Sequence, residues 1–408
     1  MKEGWEITSL GDSLILMRNG INCKQKKDGL GSKVTRIQTI ADGTVNPNKV
    51  GYANLTESEN KKYRLKIGDV LFSHINSPIH VGKTAYVEKD YGLIHGMNLL
   101  CFRTSEEVDP KFLEYYLKNL YWSGFWKTVC KQSVNQASVN MQDIKKVTFA
   151  YPSLILQKRI VAILDEAFAG IDTAIANTEK NLANARELFE SFLSLVFNKQ
   201  SEGWEERKLG DICSITSKLV DPRDNRFIDL KHVGAGNIVS FTGDLIQVQT
   251  ARDEGLISGK FIFDEHMVLY SKIRPYLMKV ARPNFIGLCS ADIYPLKPLA
   301  NLLDRDFLYY LLLHNKFTKY AIAGSDRAGM PKVNREHLFQ YSVALPEVFE
   351  QKKITEQLDV IAIESHKIEI IYKQKLNSLK ELKQSLLQKA FSGELTAKPD
   401  KLIDENVA

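Results

Sequence analysis

The chain has 408 residues, 44% hydrophobic and 25% charged, an ordinary globular composition that excludes disordered and collagen-like classes and leaves room for two or three domains. The net charge of +6 permits a polyanionic partner without requiring one. Cys23, Cys101, Cys130, Cys213 and Cys289 stand far apart with no Cys-x-x-Cys pair, so reduced, mostly buried thiols are expected rather than a zinc ribbon or a disulfide framework. Met1 to Asp12 does not read as a signal peptide, and no run reaches the roughly 18 apolar residues of a spanning helix. The expectation is a soluble, cytoplasmic protein with no membrane contact.

In chain order, Trp5-x4-Leu10-Gly11 opens a region with β-prone runs such as Asp69 to Ser73 and an aromatic helical stretch, Phe112 to Leu120. An α+β domain over residues 1–150 fits this pattern. After Pro152 a helix is predicted from Gln157 to Phe197, the core of a spacer segment 151–200. Its apolar seam runs Ile160, Leu164, Ala167, Ile171, Ile175, Leu182, Ala185, Phe189, Phe192 and Val196, a heptad pattern with one slip after Ile171. Residues 201–345 read as a second α+β domain, with a β-prone run Met267 to Tyr270 and a helical stretch Phe307 to Leu313. A second spacer, 346–395, is predicted helical from Gln351 to Ser392, with Ile354, Leu358, Ile361, Ile368, Tyr372, Leu376, Leu379, Leu386 and Ala390 on its seam and Gly393 placed to end it. A polar tail, 396–408, has no assigned role.

The second half repeats the first. Glu3-Gly4-Trp5-Glu6 returns as Glu202-Gly203-Trp204-Glu205, and Leu10-Gly11-Asp12 as Leu209-Gly210-Asp211, both 199 residues on. Val70-Leu71-Phe72-Ser73 returns as Val268-Leu269-Tyr270-Ser271, 198 on. Pro152, Gln157, Ile160 and Leu164-Asp165 return as Pro346, Gln351, Ile354 and Leu358-Asp359, all 194 on. The offset shrinks only before Pro152, so each half has a variable part and a part of fixed length. A helix with one apolar stripe must bury it. Two of matching length most simply bury against each other, antiparallel, which would relate the halves by a pseudo-two-fold axis.

Catalytic signatures are not found. Asn46-Pro47-Asn48 lacks the second proline and aromatic of an amino-methyltransferase loop, and Val233-Gly234-Ala235-Gly236 reads as a turn. Gly82-Lys83-Thr84 mimics the end of a phosphate-binding loop, but the required earlier glycine is Ser77, followed by Pro78. His74, His80 and His95 are not at metal-ligand spacing and read as scattered surface or turn residues. No enzyme and no metal site is expected.

The paired Trp-x4-Leu-Gly openings, the paired Pro-x4-Gln-x2-Ile junctions and the helix end Lys389-Ala390-Phe391-Ser392-Gly393-Glu394-Leu395 resemble the specificity subunits of type I restriction–modification systems. The resemblance covers nearly the whole chain, with two small departures. Leu156 stands where the second junction has the acidic Glu350, and Leu195-Val196-Phe197-Asn198 ends the first helix without glycine. The resemblance implies two target-recognition domains joined by long antiparallel coiled-coil helices that space them. It implies double-stranded DNA as a bipartite, asymmetric target, two modification (methyltransferase) subunits, and restriction subunits. No cofactor is expected on this chain; S-adenosylmethionine would bind the methyltransferase partner. The rival reading is a two-domain coiled-coil scaffold that binds only proteins.

For a DNA reader, Arg and Lys suit phosphates and guanine, and Asn and Gln suit adenine. In the first half the candidates are Lys33, Arg36, His74, Asn76, Lys83, Lys131, Gln132, Asn135 and Gln136. In the second they are Lys231, His232, Lys272, Arg274, Lys279, Arg327 and Lys332. For helix packing they are Ile160, Leu164, Ile171, Ile175, Leu182, Phe189, Ile354, Leu358, Ile361, Ile368, Leu376 and Leu379.

Overall fold

The computed structural model describes residues 4–133, 136–198, 203–215, 218–325 and 331–396. The chain forms two compact units, Met1–Thr178 with Lys375–Ala408, and Glu179–Gln374. Each long helix is therefore divided between the units. The helices span Leu154–Asn198 and Val348–Ser392, 45 residues each, or about 68 Å at 1.5 Å per residue. Both begin three residues before the predicted start. The Ser153 and Glu347 carbonyls already accept from the Gln157 and Gln351 amides, so the first turn forms immediately behind the proline. Gly393 ends the second helix at φ 84°, the left-handed conformation that glycine adopts without steric cost.

In the first unit, four antiparallel strands form a sheet in the order Leu14–Asn19, Leu100–Thr104, Val70–Phe72, Thr84–Tyr86. Strand alternation sends Val70, Phe72, Leu100 and Phe102 to one face and Leu71 and Cys101 to the other. The first face packs on the helix Pro110–Trp122, on Trp126, and on Ile160, Leu164, Phe168 and Ile171 of the first long helix. The same core takes Leu387 and Ala390 from the second long helix. Asp172 pairs with Lys383, whose ammonium also lies over the Phe168 ring, so the two helices pack together inside this unit.

The second unit has a four-stranded sheet, in the order Cys213–Ser214, Ile293–Pro298, Val268–Ser271, Val280–Ala281. A five-stranded sheet with one parallel pair, Lys231–Val233 beside Gly287–Cys289, lies in the same unit. Its helix Arg305–Leu313 is buried against Phe189, Leu193 and Phe197 of the first long helix and Leu358 of the second. The long helices run antiparallel here: Ala185 and Arg186 meet Ser365 and Glu369, while Phe192 lies beside Gln357 and Ile361.

The motifs that repeat in sequence make the same bonds in each unit. The opening strands Glu6–Ser9 and Glu205–Lys208 pair antiparallel with Thr148–Tyr151 and Ser342–Leu345. The Leu10 and Leu209 amides then donate to Val147 and Tyr341 at 2.8 Å. Gly11 and Gly210 follow where a Cβ would stand 3.0 Å from the Lys145 and Phe339 Cβ atoms, which explains why both openings end in glycine. At the junctions, the fully buried Gln157 accepts from Asp109 N–H at 2.8 Å and donates to Glu107 O at 2.9 Å and Pro152 O at 2.8 Å. Gln351 accepts from Asp304 N–H and donates to Leu302 O and Pro346 O at the same three distances, 2.8, 2.9 and 2.8 Å. The Tyr115 and Tyr310 hydroxyls donate to Asp165 and Asp359. The invariant frame therefore ties each domain to the helix that follows it.

Among the predicted packing residues, Ile160, Leu164, Ile171 and Leu358 are buried. Ile175, Leu182, Phe189, Ile354, Ile361, Leu376 and Leu379 are half-buried. Ile368 remains 37% exposed, at the edge of the seam rather than inside it. Phe168, absent from the predicted seam, is buried against Tyr115 and Trp122, because its side of the helix faces its own domain. The five cysteines are free thiols; Cys101, Cys213 and Cys289 are buried, and Cys23 and Cys130 are partly exposed. Among the described residues, no helix is long and apolar enough to cross a membrane.

Candidate nucleic-acid interface

A polar site forms at the same place in each domain, just beyond the strand Val70–Phe72 or Val268–Ser271. In the first unit the chain leaves the sheet through His74 and pairs Ile75–Asn76 with Gln136–Ser138, which pairs in turn with Lys131–Ser133. The Val139 amide donates to His74 O at 2.9 Å. In the second unit the Val333 amide donates to Lys272 O at 2.8 Å, and Arg274 N–H donates to Pro331 O at 2.9 Å. Each loop is thus held by the segment just before a short helix capped by Asn140 or Asn334, whose side-chain oxygens accept from Asp143 and His337 N–H. The Asn140 and Asn334 caps fix where each polar loop ends.

In the first unit these elements enclose an open cavity of about 540 Å³, lined by Ile37, Ile75, Asn76, Ser77, Asn98, Ser133 and Gln136. Asn76 is locked from both sides: its amide donates to Ser73 Oγ at 3.1 Å and accepts from Ser77 N–H at 2.8 Å. Asn98 sits at φ 78°, a backbone region that asparagine tolerates better than most residues. Among the described residues, neither the Asn98 nor the Gln136 side chain makes a hydrogen bond within the protein. Residue type and spacing do not single out Asn98, which lies in Gly96-Met97-Asn98, a short turn signal before a buried strand.

The remaining first-unit candidates divide clearly. Arg36 precedes the cavity residue Ile37, and its backbone N–H donates to Thr39 Oγ1 at 2.8 Å. Lys131 and Gln132 lie exposed on the hairpin strand next to Gln136, and Lys33 is exposed on the hairpin Ser32–Thr35 with Val50–Ala53. Lys83 turns inward, its ammonium donating to Ala41 O at 2.6 Å. Gly82 before it has φ 91°, and a Cβ there would stand 2.2 Å from Trp126. The Gly-Lys-Thr string is therefore a packed turn. His74 is 7% exposed and His95 fully buried, which corrects their reading as surface or turn histidines. Burial holds both at about 4, well below the ordinary 6.5; for His95 a hydrogen bond to Leu99 O opposes the shift without cancelling it. Asn135 and Arg327 lie outside the described residues.

In the second unit, Lys272 and Lys332 come together beside Asp292, with Arg274 exposed two residues after Lys272. Lys332 reaches Asp292 at 3.4 Å, and Ile273 bridges Lys332 through the backbone. The Lys272 ammonium lies 5.0 Å over the Tyr294 ring and donates to Ala291 O. Burial and then the neighbouring Lys332 charge push Lys272 below the usual lysine range, partly offset by Asp292. Two crowded ammonium groups at the surface gain from an anionic partner. Lys279, the counterpart of Lys83, turns inward to Ala235 O. Lys231 is exposed over Phe285, at 5.0 Å from its ring. His232 is buried, with Nδ1 2.8 Å from Glu254, and burial lowers it despite that carboxylate. Among the described residues there is no group of three or more His, Cys, Asp or Glu able to hold a metal ion.

Residues 2–184 and 201–381 each match the family model of the type I restriction modification DNA specificity domain. The chain belongs to this family. A putative type I restriction enzyme MjaX specificity subunit from Methanocaldococcus jannaschii is 28% identical over 97% of this chain and 95% of that protein. The type I restriction enzyme EcoDI specificity subunit from Escherichia coli is 35% identical over 50% of this chain and 46% of its own length. A solved chain described under complex assembly and conformational transition of the type I R-M system has a TM-score of 0.72 at 18% identity, covering 95% of this chain and 98% of that one. The crystal structure of the HsdS subunit from Thermoanaerobacter tengcongensis gives 0.55 at 18% identity, covering 97% and 98%. The two specificity-domain copies are the two halves recognised from the repeated motifs.

Proposed function

We propose that this chain reads a bipartite, asymmetric double-stranded DNA target, one half-site per specificity domain, and holds the catalytic subunits of a type I complex on it. One observation carries the reading. The frame is identical in both domains down to the three bonds of Gln157 and Gln351, while the polar loops at the equivalent position differ, amides in one and cations in the other. A frame that repeats while its exposed polar loops diverge is what two readers of different sequences require.

Two methyltransferase subunits, carrying S-adenosylmethionine, and restriction subunits are the partners this reading calls for. An open apolar cavity of about 450 Å³ supports a protein-docking role for the helices in the second unit. It is lined by Phe192, Glu356, Gln357, Val360 and Ile361, and apolar surface of this kind suits a partner chain.

The test is co-expression with the methyltransferase subunit of its own system in a methylation-free host, followed by genome-wide mapping of modified bases. A two-part motif with a fixed gap and one modified base in each half is expected. Exchange of residues 1–150 should change one half only. A continuous motif, or no modification from a folded and assembled complex, would overturn the reading.

A further inference from the structure

We propose that the two domains read different base classes from equivalent sites beyond the sheet, through different residues of each: an adenine through Asn98 and Gln136 in the first, and a guanine through Arg274 in the second. This rests on the reading above, that each domain reads half of a target.

The strand ladders define the equivalent sites. Val70 pairs with Phe102, and Val268 with Leu296. Counting from these pairs, Asn76 corresponds to Arg274 and Asn98 to Asp292. The same two backbone positions therefore hold two amides in one domain, and a guanidinium and a carboxylate in the other.

In the first domain, among the described residues, no cation lines the cavity. Asn98 and Gln136, whose amides are unpaired among the described residues, each offer a donor and an acceptor side by side, the pattern that matches adenine N6 and N7. Ile37 and Ile75 supply the apolar wall that a thymine methyl would meet. Asn76, held by Ser73 and Ser77, is the fixed floor rather than a reader.

In the second domain Asp292 is already occupied by Lys332. Lys272 and Lys332 form the like-charged pair that suits a phosphate. Arg274 is exposed, and its guanidinium makes no hydrogen bond with any described residue. Its backbone, by contrast, is fixed at φ 50°: its N–H donates to Pro331 O, its carbonyl accepts from Leu277 N–H at 2.9 Å, and Pro275 beside it is buried. A guanidinium unpaired among the described residues, on a rigid stalk, is suited to the bidentate bond with guanine O6 and N7.

Base mapping as above, with Arg274→Asn, Arg274→Lys and Asn98→Gly, tests this. Asn and Gly tolerate the left-handed backbone at these positions, and Arg274→Lys carries the test if Arg274→Asn does not assemble. Arg274→Asn or Arg274→Lys should relax one G·C position in one half-site, with discrimination falling about five- to hundredfold. Asn98→Gly should relax one A·T position in the other half-site. A uniform loss of modification with the motif unchanged, and a shallower salt dependence, would make Arg274 a phosphate contact and overturn its assignment. A two-part motif untouched by these variants would sink this inference alone. Absence of a two-part motif from the unaltered complex would remove the reading beneath it as well.

Discussion

Replacing Gln157 with leucine keeps the side-chain volume and removes one amide. It leaves the Asp109 N–H and the Glu107 and Pro152 carbonyls without their partner. A buried polar group left unpaired costs about 1–3 kcal/mol. The Pro152 bond is fully buried, while those to Asp109 and Glu107 are partly open to water, which can replace some of the loss. The expected destabilisation is therefore about 2–4 kcal/mol, a large fraction of the roughly 5–15 kcal/mol that holds a domain folded. Hydrogen exchange read by mass spectrometry locates the effect. Gln157→Leu should accelerate exchange in the peptide holding Asp109 and leave the peptide holding Asp304 unchanged; Gln351→Leu should do the reverse. If either variant exchanged within about 0.5 kcal/mol of the unaltered protein, the glutamines would not be the joint between domain and helix.

Other outcomes follow from burial and close packing. Gly82→Ala forces a Cβ against Trp126 at a φ of 91° and should lower stability by at least about 2 kcal/mol. Gly170→Ala, in open space on the first long helix, should raise it by about 0.5–1 kcal/mol; urea melts of the pair check both signs. His95, held at about 4 when folded against 6.5, binds its proton more readily in the unfolded chain between those values. Its contribution is complete above pH 6.5 and is lost as the pH falls towards 4, by up to about 3 kcal/mol. Melts at pH 7 and pH 5 should show it, and a first unit equally stable at both would contradict it. Val360→Asp puts a charge on the apolar cavity of the second unit, where Val360 is 62% exposed. Folding should be unaffected and co-purification with the methyltransferase subunit reduced; wild-type yields of complex would argue that the partner docks elsewhere.

The repeat, the two helices and their stop at Gly393 were legible from the residues alone, because these depend on local rules: heptad spacing, a proline start and a left-handed glycine. The sequence also singled out Gln157 and Gln351, since an identical joint needs an identical residue. What it could not rank was which polar residues face outward. Lys83 and Lys131 are the same side chain in similar company, yet one donates to a carbonyl 42 residues away and the other stands exposed. His74 and His95 are polar residues, yet both are buried. Asn98 joins Asn76 and Gln136 only when a strand, a loop and a hairpin distant in sequence close one cavity. Such convergence comes from strand pairing between remote segments, which no local pattern of residues encodes.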